Sequence, residues 1–335
     1  MGHDPVDVWS MADLTTPFAI RVVATLRVAD AVKDGPVPLD ELARRCAANA
    51  DALGRVLRFL VYRGLFIEPE HNVFGPNDGS RALENDAPRG TRAWLDLDGA
   101  VGRADLALVE LIDQVRGNHT AYPAAFGRTF REDLAQDQQL ADSFDGIMEE
   151  KSQSIAAAVA SAYDWGRFGR VADVGGGKGI LLVEILREHP SLRGVLVDLP
   201  APARKAEEYL QAEGVSKRAE TAPASFFDPL PVQVDACVLC DVLGDWDDDD
   251  AAQILARCAE AVGAHGRVLI VESIPDQPEG MAAFTEMDLR MMVYVGGRMR
   301  DLDGTTRIAE SAGLAVSGAT RLDDYCIVEC LPIGS

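Results

Sequence analysis

Three alternating glycines and two acids, Asp173 and Asp198, carry the chemistry that is most legible in this chain. A short apolar run, 171–174, ends in Gly175-Gly176-Gly177-Lys178-Gly179. An amphipathic stretch, Ile180-Leu181-Leu182-Val183-Glu184-Ile185-Leu186-Arg187, follows at once. That order predicts strand, glycine turn, helix. The next apolar run, 194–197, closes with Asp198. A glycine turn lets a ligand approach the backbone without meeting a Cβ, and the helix start behind it offers free N–H groups. An acid at the tip of the second strand suits the diol of a ribose.

The spacing separates the candidate ligands. Dinucleotide sites space their glycines G-x-G-x-x-G, whereas this turn reads G-x-G-x-G and follows Asp173. A phosphate-binding P-loop needs Ser or Thr after its Gly-Lys, and here Lys178 is followed by Gly179. An acid at the turn repels pyrophosphate but pairs, directly or through water, with an ammonium. A cationic, phosphate-free cofactor with an adenosine end fits best: S-adenosylmethionine. A tight turn between core elements is the plainer alternative that glycines alone leave open.

A parallel sheet is the element that positions such a turn. The runs 171–174, 194–197, 234–239 and 267–271 read as central strands, and 313–316 and 325–331 can close the edge. Their alternation with helical segments predicts an α/β domain, a mostly parallel sheet covered on both faces. Ligands then sit at the carboxyl ends of the strands, where Gly175, Asp198 and Asp241 fall. Earlier, 13–34 reads as helical, with Leu14, Phe18, Ile20, Val23, Leu26 and Val28 on a buried face, until Pro36 and Pro38. Two short helices, 39–46 and 51–63, and a ribbon at 64–68 and 72–74 complete a winged-helix outline. Residues 91–164 are mostly helical, interrupted near 117–127. The expected domains are therefore 1–105, a winged-helix dimerisation domain; 106–165, a helical linker lining the active site; and 166–335, the cofactor-binding domain.

Charge narrows the partners. The 335 residues hold 32 Lys and Arg against 54 Asp and Glu, a net charge of −22. Phosphate backbones are held by Lys and Arg, so nucleic acid is not the expected partner. Even the winged-helix region, 1–100, has 11 basic and 15 acidic residues. It lacks the basic footprint of a DNA binder and is expected to dimerise instead. No run of eighteen apolar residues occurs, so no membrane span is expected, and Met1-Gly2-His3-Asp4 does not begin like a signal peptide. Cys237 and Cys240 have the spacing of a redox or metal pair, but a strand would point them to opposite faces. Cys46, Cys237, Cys240, Cys258, Cys326 and Cys330 read as reduced, mostly buried thiols, with a cytoplasmic location.

Taken together, the pieces resemble the bacterial small-molecule O-methyltransferases of aromatic polyketide metabolism, a winged-helix dimerisation domain followed by a class I, Rossmann-like methyltransferase domain with a seven-stranded sheet. The resemblance rests on Asp173 to Gly179, on Val197-Asp198-Leu199-Pro200, and on Ser225-Phe226-Phe227-Asp228-Pro229-Leu230-Pro231. It rests also on Val242-Leu243-Gly244-Asp245-Trp246-Asp247-Asp248, and on Asp288-Leu289-Arg290-Met291-Met292 with Gly296-Gly297. It implies that Asp173, Gly175 and Gly177 pass under the methionine part of S-adenosylmethionine, and that Asp198 and Leu199 meet the ribose. It further implies Ser225 and Phe226 at the adenine, Cys240 near the sulfonium, and Met148 in the cofactor wall. Phe144 would border a small aromatic substrate. Met291, Met292 and Tyr294 read as apolar and aromatic cavity wall, and His119, in the loop-like 117–123 stretch, could approach the site, with solvated surface as its plainer reading. The implied assembly is a homodimer, with no metal.

One departure from the family stands out. Most members carry a histidine general base where this chain has Gly244, and His3, His71, His119, His189 and His265 all lie elsewhere in the pattern. Glycine takes no proton. Asp288 is then the acid best placed to touch the acceptor, while Asp245 is expected to cap the helix that starts near Asp247. The leading expectation is O-methylation by proximity and orientation. The alternatives are a repurposed reaction on the same cofactor, namely C-methylation, hydroxylation, decarboxylation or cyclisation, and a catalytically silent homologue.

Overall fold

The computed structural model describes residues 7–88, 90–117, 119–275 and 277–334. His3, the Met1 to Asp4 start read for a leader, and the loop residue Asn118 lie outside them. The chain forms two compact units. One runs up to Leu106 and includes Arg131–Ile147; the other comprises Ala107–Phe130 and everything from Met148 onward.

In the first unit, helices Thr15–Thr25, Val28–Val32, Leu39–Arg45 and Ala50–Tyr62 enclose Val23, Val28, Val32, Leu42, Leu57, Leu60, Phe66 and Phe74. The predicted single helix over 13–34 breaks at Arg27, whose left-handed backbone (φ 53°) turns Val28 and Val32 into the core. Strands β1 (Val37–Pro38), β2 (Ile67–Glu70) and β3 (Val73–Gly75) form the wing in the order β1-β3-β2. Asn49 caps the would-be recognition helix by accepting the Ala52 N–H at 3.0 Å. That helix buries Leu53, Leu57 and Leu60. Two of its arginines are held by acids of the same chain, Arg58 by Glu68 at 3.3 Å and Arg63 by Asp13 at 3.5 Å. A DNA backbone would have to compete with those pairs.

The second unit is built on seven strands: β4 (Arg170–Val174), β5 (Arg193–Asp198), β6 (Ala219–Pro223), β7 (Ala236–Cys240), β8 (Arg267–Ser273), β9 (Leu314–Leu322) and β10 (Tyr325–Pro332). Their order is β6-β5-β4-β7-β8-β10-β9; β4 to β8 run parallel and β10 is antiparallel to both neighbours. The order reverses between β4 and β7, and a crevice at such a switch point is where open parallel sheets bind ligands. Alternate residues feed the two faces. Ala172, Val174, Val195, Val197, Cys237 and Leu239 pack beneath helices Asp248–Val262 and Leu302–Ser311. Val171, Leu196, Ala236 and Val238 pack beneath Ile180–Glu188, Pro200–Ala212 and the last turns of Gln138–Ala162. Cys237 and Cys240 therefore face opposite sides, and all six cysteines are free thiols. Among the described residues no helix is long and apolar enough to cross a membrane.

Candidate active site

Strand β4 delivers the chain into the glycine turn. Gly175, Gly177 and Gly179 all take positive φ, 72°, 56° and 86°, a region that side chains disfavour. Gly175 lies against Val242 and Phe226: a Cβ there would stand 2.9 Å from Val242 Cγ2 and 3.5 Å from Phe226 Cε1. At Gly177 a Cβ would meet nothing within 4 Å, so the turn opens on free space. Asp198, at the tip of β5, folds back over the turn. Its Oδ2 accepts the Gly177 N–H at 2.9 Å and its Oδ1 the Leu199 N–H at 2.7 Å. Burial raises its pKa, and those two backbone donors oppose the rise. The segment after β6 follows the same edge. Ala224 donates to the Asp198 carbonyl at 2.9 Å, Ser225 Oγ accepts the Phe227 N–H, and Phe226 and Phe227 pack edge-on against Trp246.

Asp173 is the electrostatic anomaly. It is 1% exposed, and among the described residues neither carboxyl oxygen has a hydrogen bond of good geometry, although the Leu182 backbone N–H lies close enough to oppose the rise in its pKa. Burial, then the nearby Asp198, push its pKa up to about 7. A buried carboxylate without a well-formed hydrogen bond is costly unless a ligand supplies the missing partner. Its neighbourhood, with free space at Gly177 and a second acid, Asp198, at the next strand tip, fits a cationic adenosyl group.

Strand β7 leads to the other half of the site. Cys240 ends it, its thiol pKa raised by burial, and Asp241 turns left-handed (φ 54°), a strained backbone for a residue with a side chain. Asp241 is fixed by the Lys151 ammonium at 3.0 Å and by the Tyr325 hydroxyl, which donates at 3.0 Å. Burial works against the Lys151 charge, yet Asp241 carries its pKa above the ordinary value. Sequence reasoning missed Lys151, although it stands three residues after Met148 on the same helix; Glu149 beside it pairs with Lys178 of the glycine turn at 2.7 Å.

Gly244 sits in a short 3-10 turn, Leu243–Asp245, inside a shallow pocket that includes Glu272, Arg298, Met299 and Arg300. A Cβ on Gly244 would lie 3.2 Å from Met299 Sδ and 3.7 Å from Glu272 Oε2. The loop after helix Pro278–Val295 presses on this turn so closely that a Cβ on Gly297 would be 2.3 Å from the Gly244 carbonyl oxygen. Arg300, buried, fixes the turn by donating to the carbonyls of Leu243 and Trp246 at 2.8 Å each and pairing with Asp248 at 2.9 Å. Arg300→Ala is expected to lower stability by about 1–3 kcal/mol, since it orphans buried carbonyls; urea unfolding followed by tryptophan fluorescence measures it.

One expectation is corrected here. The helix cap is Asp247, not Asp245: the chain stays extended through Trp246, so Asp247 is the residue whose Oδ1 accepts the Asp250 N–H, at 2.9 Å. Asp288 uses Oδ1 to accept the Met299 N–H at 2.9 Å, bracing the loop behind Gly244. Tyr294 is 5% exposed, stacked on Phe130, with its hydroxyl beside Arg290. Met291 and Met292 are half-buried on the same helix, and the Met292 carbonyl accepts from Gln114 at 2.8 Å. Met148 is half-buried in the second unit; Phe144, one turn earlier, belongs to the first. His119 is exposed and groups with Glu110 and Asp113.

Comparison with known proteins bears on this geometry. Residues 108–315 match an O-methyltransferase domain, and residues 9–85 match an O-methyltransferase dimerisation domain. The chain is 44% identical to the 2,7-dihydroxy-5-methyl-1-naphthoate 7-O-methyltransferase of Streptomyces carzinostaticus over 96% of each chain. It is 40% identical to the aclacinomycin 10-hydroxylase of Streptomyces purpurascens over 96% of this chain and 88% of that one. Its fold is similar, with a TM-score of 0.91 and 42% identity, to a crystal structure of an O-methyltransferase from neocarzinostatin biosynthesis in complex with S-adenosylmethionine and 2-hydroxy-5-methyl naphthoic acid; 99% of this chain and 100% of that one are covered.

Proposed function

This chain belongs to the O-methyltransferase family that joins a dimerisation domain to a methyltransferase domain, and we propose that it methylates a hydroxyl of an aromatic secondary-metabolite intermediate without the histidine base. The observation that carries the proposal is the buried Asp173 carboxylate, without a hydrogen bond of good geometry, under the glycine turn, with Asp198 at the next strand tip. Its cofactor is S-adenosylmethionine, which supplies an electrophilic methyl group on a sulfonium. Asp173 takes the ammonium, directly or through water, Gly175 and Gly177 leave room for the methionine part, and Asp198 accepts from the ribose hydroxyls next to Leu199. Ser225 and Phe226 flank the adenine, and Cys240 and Met148 line the approach to the sulfonium. Met291 and Met292 wall the acceptor cavity, and Tyr294 supports that wall from within the core.

Alignment supplies most of the rate. Holding the acceptor oxygen in line with the methyl group is worth about 7–11 kcal/mol. A general base adds about 10²–10⁴-fold, roughly 3–5 kcal/mol. Loss of the histidine at position 244 is therefore compatible with turnover. The protein is a homodimer through its first domain, whose leading helices expose Trp9, Met11, Leu14 and Phe18. Six unpaired thiols support a reducing, cytoplasmic setting.

The similarity to a hydroxylase favours one second reading, in which the same cofactor site serves hydroxylation. Incubation with S-adenosylmethionine and 2,7-dihydroxy-5-methyl-1-naphthoate, followed by mass spectrometry, separates the two. The expected product gains one methyl group and is accompanied by S-adenosylhomocysteine. A product gaining one oxygen, or no methylated product from any hydroxylated naphthoate or anthraquinone, overturns O-methylation.

A further inference from the structure

We infer that Glu272 accepts the proton of the methyl-accepting hydroxyl, reached through the slot that Gly244 leaves beside Met299. The inference rests on the O-methylation reading and adds to it the group that stands in for the absent histidine.

Glu272 is the one charged side chain in an otherwise apolar run of β8, following Val268, Leu269, Ile270 and Val271, all fully buried. It lies at the carboxyl end of that strand, the edge that carries the site, and is itself 7% exposed. Its two oxygens differ. Oε1 accepts the Leu243 N–H at 2.9 Å, which fixes the carboxyl against the turn bearing Gly244. Oε2 points to the slot, 3.7 Å from where a Gly244 Cβ would be, and accepts no hydrogen bond among the described residues. The slot has open space for roughly one water molecule. The other acids nearby are engaged: Asp241 by Lys151 and Tyr325, and Asp288 by the Met299 N–H.

The surroundings tune this carboxyl for the task. Burial raises its pKa first, Asp241 and Asp245 add like charge, and the Lys151 ammonium opposes them, leaving it at about 8. Arg298 and Arg300 border the same pocket, but both are paired with Asp248. A carboxyl near 8 lies much closer to a phenol than an ordinary glutamate at about 4.3 does, so proton transfer between them is nearly balanced. In the reaction, the acceptor oxygen forms its bond to the methyl carbon. The methyl–sulfur bond breaks with its electron pair left on sulfur. The hydroxyl proton passes to Glu272 Oε2, directly or through one water, and leaves to solvent after product release.

Glu272→Gln tests this, because the amide oxygen can still accept the Leu243 N–H while the proton-accepting oxygen is gone. With 2,7-dihydroxy-5-methyl-1-naphthoate, kcat of the wild type should rise with an apparent pKa near 8. The variant should lose that limb and fall about 10²-fold, the lower end of the general-base range. Calorimetry should show S-adenosylhomocysteine binding unchanged within about twofold. Independently of turnover, infrared spectra of wild-type protein should show a protonated carboxyl band that titrates near pH 8 and is missing from the variant. As a second variant, Gly244→Ala narrows the slot while leaving the Glu272 carboxyl and its bond from the Leu243 N–H in place; it should keep the infrared band and lower kcat. Retention of both rate and limb by Glu272→Gln overturns the inference while leaving O-methylation standing. Absence of methyl transfer by the wild type removes the O-methylation reading and this role with it, whatever the infrared band does.

Discussion

Asp173→Asn is expected to weaken S-adenosylhomocysteine binding about 100-fold and, at the same time, to make the ligand-free protein more stable at pH 8. Both effects follow from one carboxyl that is buried without a hydrogen bond of good geometry. The product keeps the ammonium, so losing a charge-assisted contact worth roughly 1.5–3 kcal/mol weakens binding by up to about two orders of magnitude. Stability moves the other way. In the folded chain Asp173 holds its proton up to about pH 7, because burial and Asp198 disfavour the anion. An unfolded aspartate releases it near 3.9. Between those values the folded state binds more protons, so stability falls as pH rises and the full cost is present above 7. The shift of about three pK units corresponds to at most about 4 kcal/mol. Urea unfolding at pH 5 and pH 8 reads the effect as a wild-type loss that is smaller in the variant. Asp198 and Glu272 shift in the same direction, which is why the comparison is made against Asn rather than on the wild type alone. An Asn variant that binds as tightly as the wild type would separate Asp173 from the cofactor.

The glycine turn and the strand-tip acid of the candidate site were legible as geometry because their requirements are local. A turn with three positive-φ glycines can be read from spacing, and the acid at the tip of β5 follows from strand length alone. The central strands were legible for the same reason: 171–174, 194–197 and 267–271 are apolar runs buried on both faces, and the structure extends them by one or two residues. Strand β6 was not foreseen. As Ala219-Glu220-Thr221-Ala222-Pro223 it sits on the sheet edge with exposed and half-buried positions, so no apolar run marks it. The wing strand β1 is two residues long and exists only through its pairing with β3. The break at Arg27 was hidden too, since helical periodicity does not register a single left-handed residue.

The other part of the candidate site depends on residues far apart in the chain. Lys151, Asp241 and Tyr325 come from a helix, a strand end and an antiparallel strand, and nothing in their spacing joins them. Glu272 gave a weak signal, a lone acid after four apolar residues at a strand end. Its meaning comes from Gly244, distant in sequence and just past the end of the neighbouring strand, and from Asp288, whose carboxyl is already committed to the Met299 N–H. Gly244 was visible in the sequence as a departure from the family's expected pattern; the carboxyl of Glu272 next to it became visible only once β7 and β8 were paired, Cys240 beside Val271.

Placing a histidine at this position, as Gly244→His, should leave the fold intact and change which group takes the proton. Gly244 does not use a positive φ, and the nearest obstacle to a Cβ is the flexible end of Met299, at 3.2 Å. The imidazole would fill the slot and stand beside Glu272 Oε2, so the carboxyl could no longer be reached from the acceptor and would instead orient the ring. The limb of the kcat–pH profile should then move from near 8 toward the histidine range, about 6.5. With an acceptor of high pKa the rate should gain by up to about 10²-fold, because the base is closer and more fully deprotonated at neutral pH. With an acidic phenol, already ionised, the gain should vanish and filling the slot should slow turnover. The acceptor series distinguishes the cases: a rate increase that grows with acceptor pKa supports a proton-accepting role at this position, and equal inhibition of every acceptor would show that the space left by Gly244 serves substrate binding instead.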